Sequence, residues 1–161
     1  MILQDGTEIN SNHIEELNAN GPYSMAVWHS GEVSVGNEEG LVGRSEYLIK
    51  LIRKSILKNF TLEEIKTLSI IDIGCNDGWI LHQLSDLPFS KMVGIEPRVK
   101  NIDKGKTVRK ILKLENKVDY RIGDIESLQD KFDIVICVGV LHHVESIPVV
   151  LRKIRESSRR M

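Results

Sequence analysis

No run in these 161 residues approaches the ~18 consecutive apolar residues that a membrane-spanning helix needs, so no membrane partner is expected. The opening stretch, MILQDGTEIN, lacks the basic and apolar segments of a secretion signal, which predicts a cytoplasmic protein. Cysteine is scarce. Cys75 and Cys137 both sit in apolar, strand-like surroundings and are expected to be reduced core thiols rather than a disulfide or a metal site. The nucleoside triphosphate loop G-x-x-x-x-G-K-S/T does not occur, and neither does the G-x-G-x-x-G turn that cradles a pyrophosphate. Internal repeats and low-complexity segments are also missing. What remains is an ordinary globular composition, long enough for one domain and too short for two.

Charge is unevenly spread. Residues 1–48 carry eight acids against Arg44 alone, whereas residues 91–117 carry nine Lys/Arg against three acids, and 150–161 five against one. A basic flank can meet phosphates. Aromatic residues are not interleaved with these basic ones, so a solvated helix face is the simpler reading.

Along the chain, Asn12 followed by Glu15 resembles a capping pair for a short helix that ends at Gly21-Pro22. The stretch YSMAVWHSGEVSVG reads as two short strands around a turn at Ser30-Gly31. Leu48, Ile52 and Ile56 recur at a spacing of four and predict an amphipathic helix within residues 44–60. Thr61 and Glu64 form a second capping pair. From there strands and helices alternate: LSIIDI, then WILHQLSD, then KMVGIE, then a basic helix over 98–115 broken at Gly105. VDYRIG, FDIVICV and a final helix in IPVVLRKIRESSRR complete the pattern. Such alternation implies a parallel sheet with helical crossovers, and continuous apolar runs such as IVICV suit strands covered on both faces.

The strand IIDI (Ile70–Ile73) stops abruptly in GCNDGW (Gly74–Trp79). In an open parallel sheet, ligands lie beyond the carboxyl ends of the strands, and the first strand-to-helix turn is the usual cradle. Glycines there permit positive φ and close approach of backbone N–H groups. With Asn76 between Gly74 and Gly78, and Trp79 where a third glycine belongs, the spacing suits neither a triphosphate nor a pyrophosphate. A nucleoside cofactor without phosphate remains.

These residues resemble motif I of class I S-adenosylmethionine-dependent methyltransferases, an acid followed by alternating glycines, with Asn76 replacing the central glycine. Asn tolerates left-handed geometry best among the other residues. The GCNDG variant is also similar to that of some sugar C-methyltransferases. Three further stretches fall in the family's order. VGIEP puts Glu96 22 residues after Gly74, at the end of the second strand. GDIESL puts Asp124 after the third, and FDIVICVGVLHHV resembles motif IV. The resemblance spans residues 68–155. It implies a three-layer α/β Rossmann-like fold with a parallel sheet in the order 3-2-1-4-5-7-6, here truncated after the fourth strand. A helical and hairpin extension over 1–60 precedes the core at 61–161. It further implies S-adenosylmethionine as cofactor, with S-adenosylhomocysteine as product. Asp72, Gly74, Cys75, Asn76, Gly78 and Trp79 would form its loop. Glu96 would accept both ribose hydroxyls, with Pro97 beside it, and Asp124 would hold the adenine amino group with Ile125 against the ring. Val138 and Gly139 would complete the site.

His142, His143 and Glu145 follow the fourth strand and are the candidate general bases. No metal is expected, because no set of Cys, His and carboxylate at ligand spacing surrounds the two histidines. Tyr23, Trp28 and His29 belong to the extension, which in the resembling family often closes over the substrate. The acceptor is expected to be a small molecule, a sugar by the GCNDG hint. RNA is the alternative, either as substrate of a methyltransferase fragment or as partner of a binding module without turnover. The fourth strand, left at a sheet edge without Pro or Lys, is expected to pair with a second copy or with the chain's own N-terminal segment.

Overall fold

The computed structural model describes residues 10–21, 28–30, 33–35 and 42–160. Its elements are α1 (Ser11–Asn20), β1 (Trp28–Ser30), β2 (Val33–Val35), α2 (Val42–Asn59), α3 (Leu62–Ile65), β3 (Ser69–Ile73), α4 (Trp79–Gln83), β4 (Lys91–Glu96), α5 (Val99–Ile111), β5 (Val118–Ile122), β6 (Ile134–Cys137) and α6 (Ile147–Ser157), with a 3-10 turn at Leu141–His143.

The apolar runs become one parallel sheet in the order β5-β4-β3-β6, the 3-2-1-4 arrangement that the sequence predicts. Side chains alternate across it. Ile70, Met92, Val118 and Ile134 face one core with Ile56 of α2, Leu81 of α4 and Ile102 of α5. Ile71, Ile73, Val93 and Ile95 face the other, with Phe132 and Val150 of α6. Both faces are therefore dry, which explains why these strands read as continuous rather than alternating apolar runs. The α2 helix, counted with the extension on sequence grounds, packs Ile49 and Ile56 into the first of these cores. Among the described residues no helix is long and apolar enough to cross a membrane.

Local signals hold where a side chain meets its own backbone. Thr61 and Glu64 make the predicted capping box, with Thr61 N–H donating to Glu64 Oε2 at 2.7 Å. At α1 the cap lies two residues earlier than predicted. Asn10, not Asn12, accepts from the His13 N–H at 3.0 Å, and the His13 ring serves where a Glu was expected. Gly105 does not break α5, which runs through it. A Cβ there would lie 2.9 Å from both the Asp77 carbonyl oxygen and Tyr120 Cζ, so the glycine serves packing rather than termination.

The hairpin forms, with Ser30 opposite Val33, and its turn at residues 31–32 lies outside the described residues. So do Tyr23 and the side chains of Trp28 and His29. Its two strands make a separate sheet and leave the β6 edge unpaired, contrary to the expected N-terminal cover. The chain's own later residues meet that edge instead. The Phe132 N–H donates to the Ser157 carbonyl at 2.8 Å, Arg159 N–H to Phe132 at 2.8 Å, and Arg160 N–H to Asp133 at 3.1 Å. Much of the basic charge is also paired. Lys110 lies 3.3 Å from Glu16 of α1, Lys106 3.7 Å from Asp103, and Arg159 3.7 Å from Asp133.

Asp133 ties this corner together, its Oδ2 accepting from Ser69 N–H at 2.9 Å and Ser69 Oγ at 2.7 Å. Partial burial alone would raise its pKa, but the Ser69 donors and the charges of Arg159 and Arg160 hold it below the usual carboxylate range. Asp133→Ala should therefore cost about 1–3 kcal/mol in urea denaturation. Because the folded pKa lies below the unfolded one, that difference is present above about pH 4 and should shrink as pH falls below it. An unchanged midpoint at neutral pH would contradict this role.

Candidate functional site

β3 ends in a loop that the sheet itself shapes. Gly74 and Cys75 N–H both donate to the Ile95 carbonyl, at 2.9 and 3.1 Å, and Gly78 N–H donates to Cys75 at 2.8 Å. Gly74, Asn76 and Gly78 have φ of 67°, 52° and 76°, so Asn76 takes the left-handed conformation that its glycine-like position demands. A Cβ on Gly74 would lie 2.5 Å from Val140 Cγ2. The α4 helix that follows has only five residues, so its N-terminus adds little to the site.

The loop rests on Tyr120 of β5. Its ring fills space left by three glycines from three segments: a Cβ on Gly78 would lie 1.8 Å from Tyr120 Oη, one on Gly94 3.0 Å from Cδ1, and one on Gly105 2.9 Å from Cζ. Tyr120 Oη lies 2.6 Å from His82 Nε2 of α4, and the Arg109 guanidinium stands 5.7 Å from the ring centre. Burial, with Arg109 adding to it, pushes His82 down to about 3, and burial pushes Tyr120 up, so a neutral imidazole and an intact phenol share one hydrogen bond. Sequence patterning does not single out Tyr120, His82, Gly94 or Gly105 as functional. Gly94 alone carries a signal, since a glycine inside a strand marks close approach of another group.

Glu96 ends β4 only 1% exposed, yet its carboxylate borders the cavity. Oε1 accepts from Arg98 Nε at 2.5 Å and Arg98 N–H at 3.2 Å, and Oε2 accepts from Asn76 N–H at 3.2 Å. Asn101 donates from α5 at 3.3 Å. The carboxylate is thus held as an ion and fixed in direction, with Arg98 raised by its hydrogen bond to Glu96. After β5, Asp124 Oδ1 caps its own turn by accepting from Ser127 N–H at 2.9 Å, and among the described residues Oδ2 has no partner.

These groups surround a cavity of about 1100 Å³ at the carboxyl ends of the strands. Asp72, Gly74, Cys75, Asn76 and Trp79 line it from the loop, Glu96 and Pro97 from β4, Asp124 and Ile125 from the third turn, and Val138 and Gly139 from the fourth. Gly139, at φ 71°, has open space where a Cβ would stand. Of the predicted cofactor residues only Gly78 is not on the wall, because its bare face is turned to Tyr120. His143 and Glu145 line the cavity and His142 does not, although its ring centre lies 3.8 Å from that of His143. Tyr47, Leu48 and Leu51 of α2 form a wall, where sequence periodicity indicates only a helix face. An ionised carboxylate, an apolar slot beside Pro97 and Ile125, an acceptor at Asp124 and two glycine openings fit a nucleoside cofactor without phosphate.

A family model described as "Methyltransferase domain" matches residues 44–159. The chain is similar to tRNA U34 carboxymethyltransferases. That of Campylobacter hominis is 31% identical over 64% of this chain and 36% of its own length. That of Helicobacter pylori is 26% identical over 83% and 48%. The chain thus spans about a third to a half of the curated relatives it matches. Among solved structures it is similar to the N-terminal domain of EvdMO1 with SAH bound, with a TM-score of 0.70 and 20% identity, covering 94% of this chain and 63% of that one. It is also similar to magnesium protoporphyrin IX methyltransferase (ChlM) from Synechocystis PCC 6803 with bound SAH, with a TM-score of 0.64 and 18% identity over 92% and 64%. At these identities the structural likeness concerns the fold.

The Tyr120 arrangement makes a prediction about stability. Tyr120→Phe should cost about 1–3 kcal/mol, since it strips a buried His82 nitrogen of its partner. Gly78→Ala should cost more, because its Cβ has no room and its φ is positive. Chemical denaturation checks both, and a Gly78→Ala protein as stable as the parent would show that the ring yields easily.

Proposed function

The chain belongs to the class I S-adenosylmethionine-dependent methyltransferases, and on that footing we propose that its cavity holds the cofactor for methyl transfer to a base of RNA, with tRNA as the substrate class. The observation that carries the cofactor reading is Glu96, a buried carboxylate kept charged and aimed by Arg98, Asn76 and Asn101. The acceptor reading is supported by relatives whose names specify uridine 34 of tRNA. It replaces a sugar as the preferred acceptor, since GCNDG alone argued for one.

Glu96 would receive the two ribose hydroxyls, and Asp124 Oδ2 the adenine amino group. Pro97 and Ile125 would flank the ring. Gly74 and Gly139 let the chain approach closely, and Val138, Val140 and Val144 keep water out. When bound, the cofactor supplies a methyl group on a positively charged sulfur, ready for in-line displacement. The protein's contribution is position and a dry wall. His143 and Glu145, on that wall, are the residues able to take a proton from the acceptor. His142 is left to support its neighbour.

Incubation with cofactor labelled in the methyl group and unfractionated tRNA tests the acceptor, with label expected in the nucleic acid. Label transferred only to sugars would overturn it. RNA retention without label, lost steeply as salt rises, would point to a binding module. For the cofactor, Glu96→Ala should lower affinity for S-adenosylhomocysteine at least about 100-fold, from two charge-assisted hydrogen bonds of roughly 1.5–3 kcal/mol each. Calorimetry on a sample with unchanged circular dichroism checks this, and intact affinity would mean that the ribose lies elsewhere.

A further inference from the structure

Asp72 is 2% exposed and borders the cavity, yet among the described residues no hydrogen-bond donor reaches its carboxyl. In the sheet it lies between Gly94 of β4 and Ile136 of β6, neither of which offers a polar side chain. A buried carboxylate without donors is costly to ionise. Every charged neighbour makes it costlier. Glu96 faces it from β4 and Asp77 from the loop, and together with burial they push the Asp72 carboxyl up to about 8. The other titratable groups nearby give no relief. Burial raises the Cys75 and Cys137 thiols, which stay neutral, and burial likewise keeps the Tyr120 phenol intact. Arg98 is committed to Glu96, and His143 borders the cavity from the 3-10 turn.

Resting on the cofactor reading above, we propose that Asp72 carries a proton while the cavity is without ligand and gives it to solvent when a cationic cofactor enters, so that the site prefers the sulfonium cofactor to its thioether product. The carboxyl O–H bond breaks, the proton leaves to buffer, and the carboxylate formed is balanced by the positive charge of the ligand. Cofactor and product share the nucleoside and the amino-acid portion and differ in the methyl group and the charge on sulfur. A wall that ionises only against a cation discriminates on that difference. It favours loading of the one and departure of the other, and makes Asp72 a specificity-determining residue. The sign follows from linkage. The ligand that binds the deprotonated form gains affinity as pH rises toward the pKa of the empty site, and a ligand indifferent to protonation does not.

Calorimetric titration of the whole chain with S-adenosylmethionine and, separately, S-adenosylhomocysteine tests this at pH 6 and 7, in two buffers of different ionisation enthalpy. The expected result is release of close to one proton per bound S-adenosylmethionine, with about tenfold tighter binding at pH 7 than at pH 6. S-adenosylhomocysteine should release almost none and change less than about twofold. Asp72→Asn should abolish both the proton release and the pH dependence. Should that variant not fold, the two-ligand comparison on the parent chain decides alone. Binding of both ligands with equal proton release, or with none, would overturn the proposal. Binding of neither to a folded sample would overturn the cofactor reading itself, and this inference with it.

Discussion

One aromatic ring sets the geometry on which the site depends. Tyr120 occupies a volume bounded by Gly78, Gly94 and Gly105, which belong to the loop after β3, to β4 and to α5. Close packing of this kind has no slack, because a single methylene is felt in a protein interior. The loop therefore has one place to sit, α5 must cross the ring at a glycine, and α4 is fastened through His82. The backbone donors that Gly74 and Cys75 extend to Ile95 then fix where the cavity floor lies. A motif usually credited to ligand approach is thus divided in two. Gly74 opens toward the cavity, and Gly78 opens toward the core.

The second organising fact is electrostatic. Asp72, Asp77 and Glu96 are all buried within a few residues of the strand ends. Their surroundings treat them differently. Glu96 is supplied with donors and a guanidinium and is at ease as an ion. Asp72 has none of these among the described residues. Two carboxyls on one wall consequently present different chemistry, with one anchoring a neutral sugar and the other answering to charge. Environment, rather than residue type, separates their roles.

Much of this is legible in the sequence. The four strands can be read because a strand covered on both faces has no choice but to be apolar throughout, as in Ile134–Cys137. Gly74, Asn76, Glu96 and Asp124 can be read because glycine and asparagine at a strand end weaken the chain locally. Such a stretch, followed at fixed distance by acids, makes physical sense when a ligand lies against it. Features set by distant packing are not legible. Tyr120 looks like any aromatic strand former. Gly105 looks like a helix breaker, since propensity disfavours it, and only the proximity of Asp77 and Tyr120 reveals its purpose. The α1 cap falls two residues from its expected place because Asn10 and Asn12 are equally good caps by residue type, and the His13 ring decides between them.

The pairing of Phe132 and Asp133 with residues 157–160 has a consequence for how the chain is made. The lower end of the sheet is joined from three places far apart in the chain: Ser69 at the start of β3, Asp133 before β6, and Arg159–Arg160 after α6. A nascent chain emerging from the ribosome can form β3, β4 and β5 against α5 while the last of these is still unsynthesised. Its fourth strand would meanwhile stand beside open solvent with Phe132 unpaired. Synthesis of a few further residues closes that end, so the interval of greatest exposure to chaperones and to misplaced neighbours falls between translation of Cys137 and translation of Arg160.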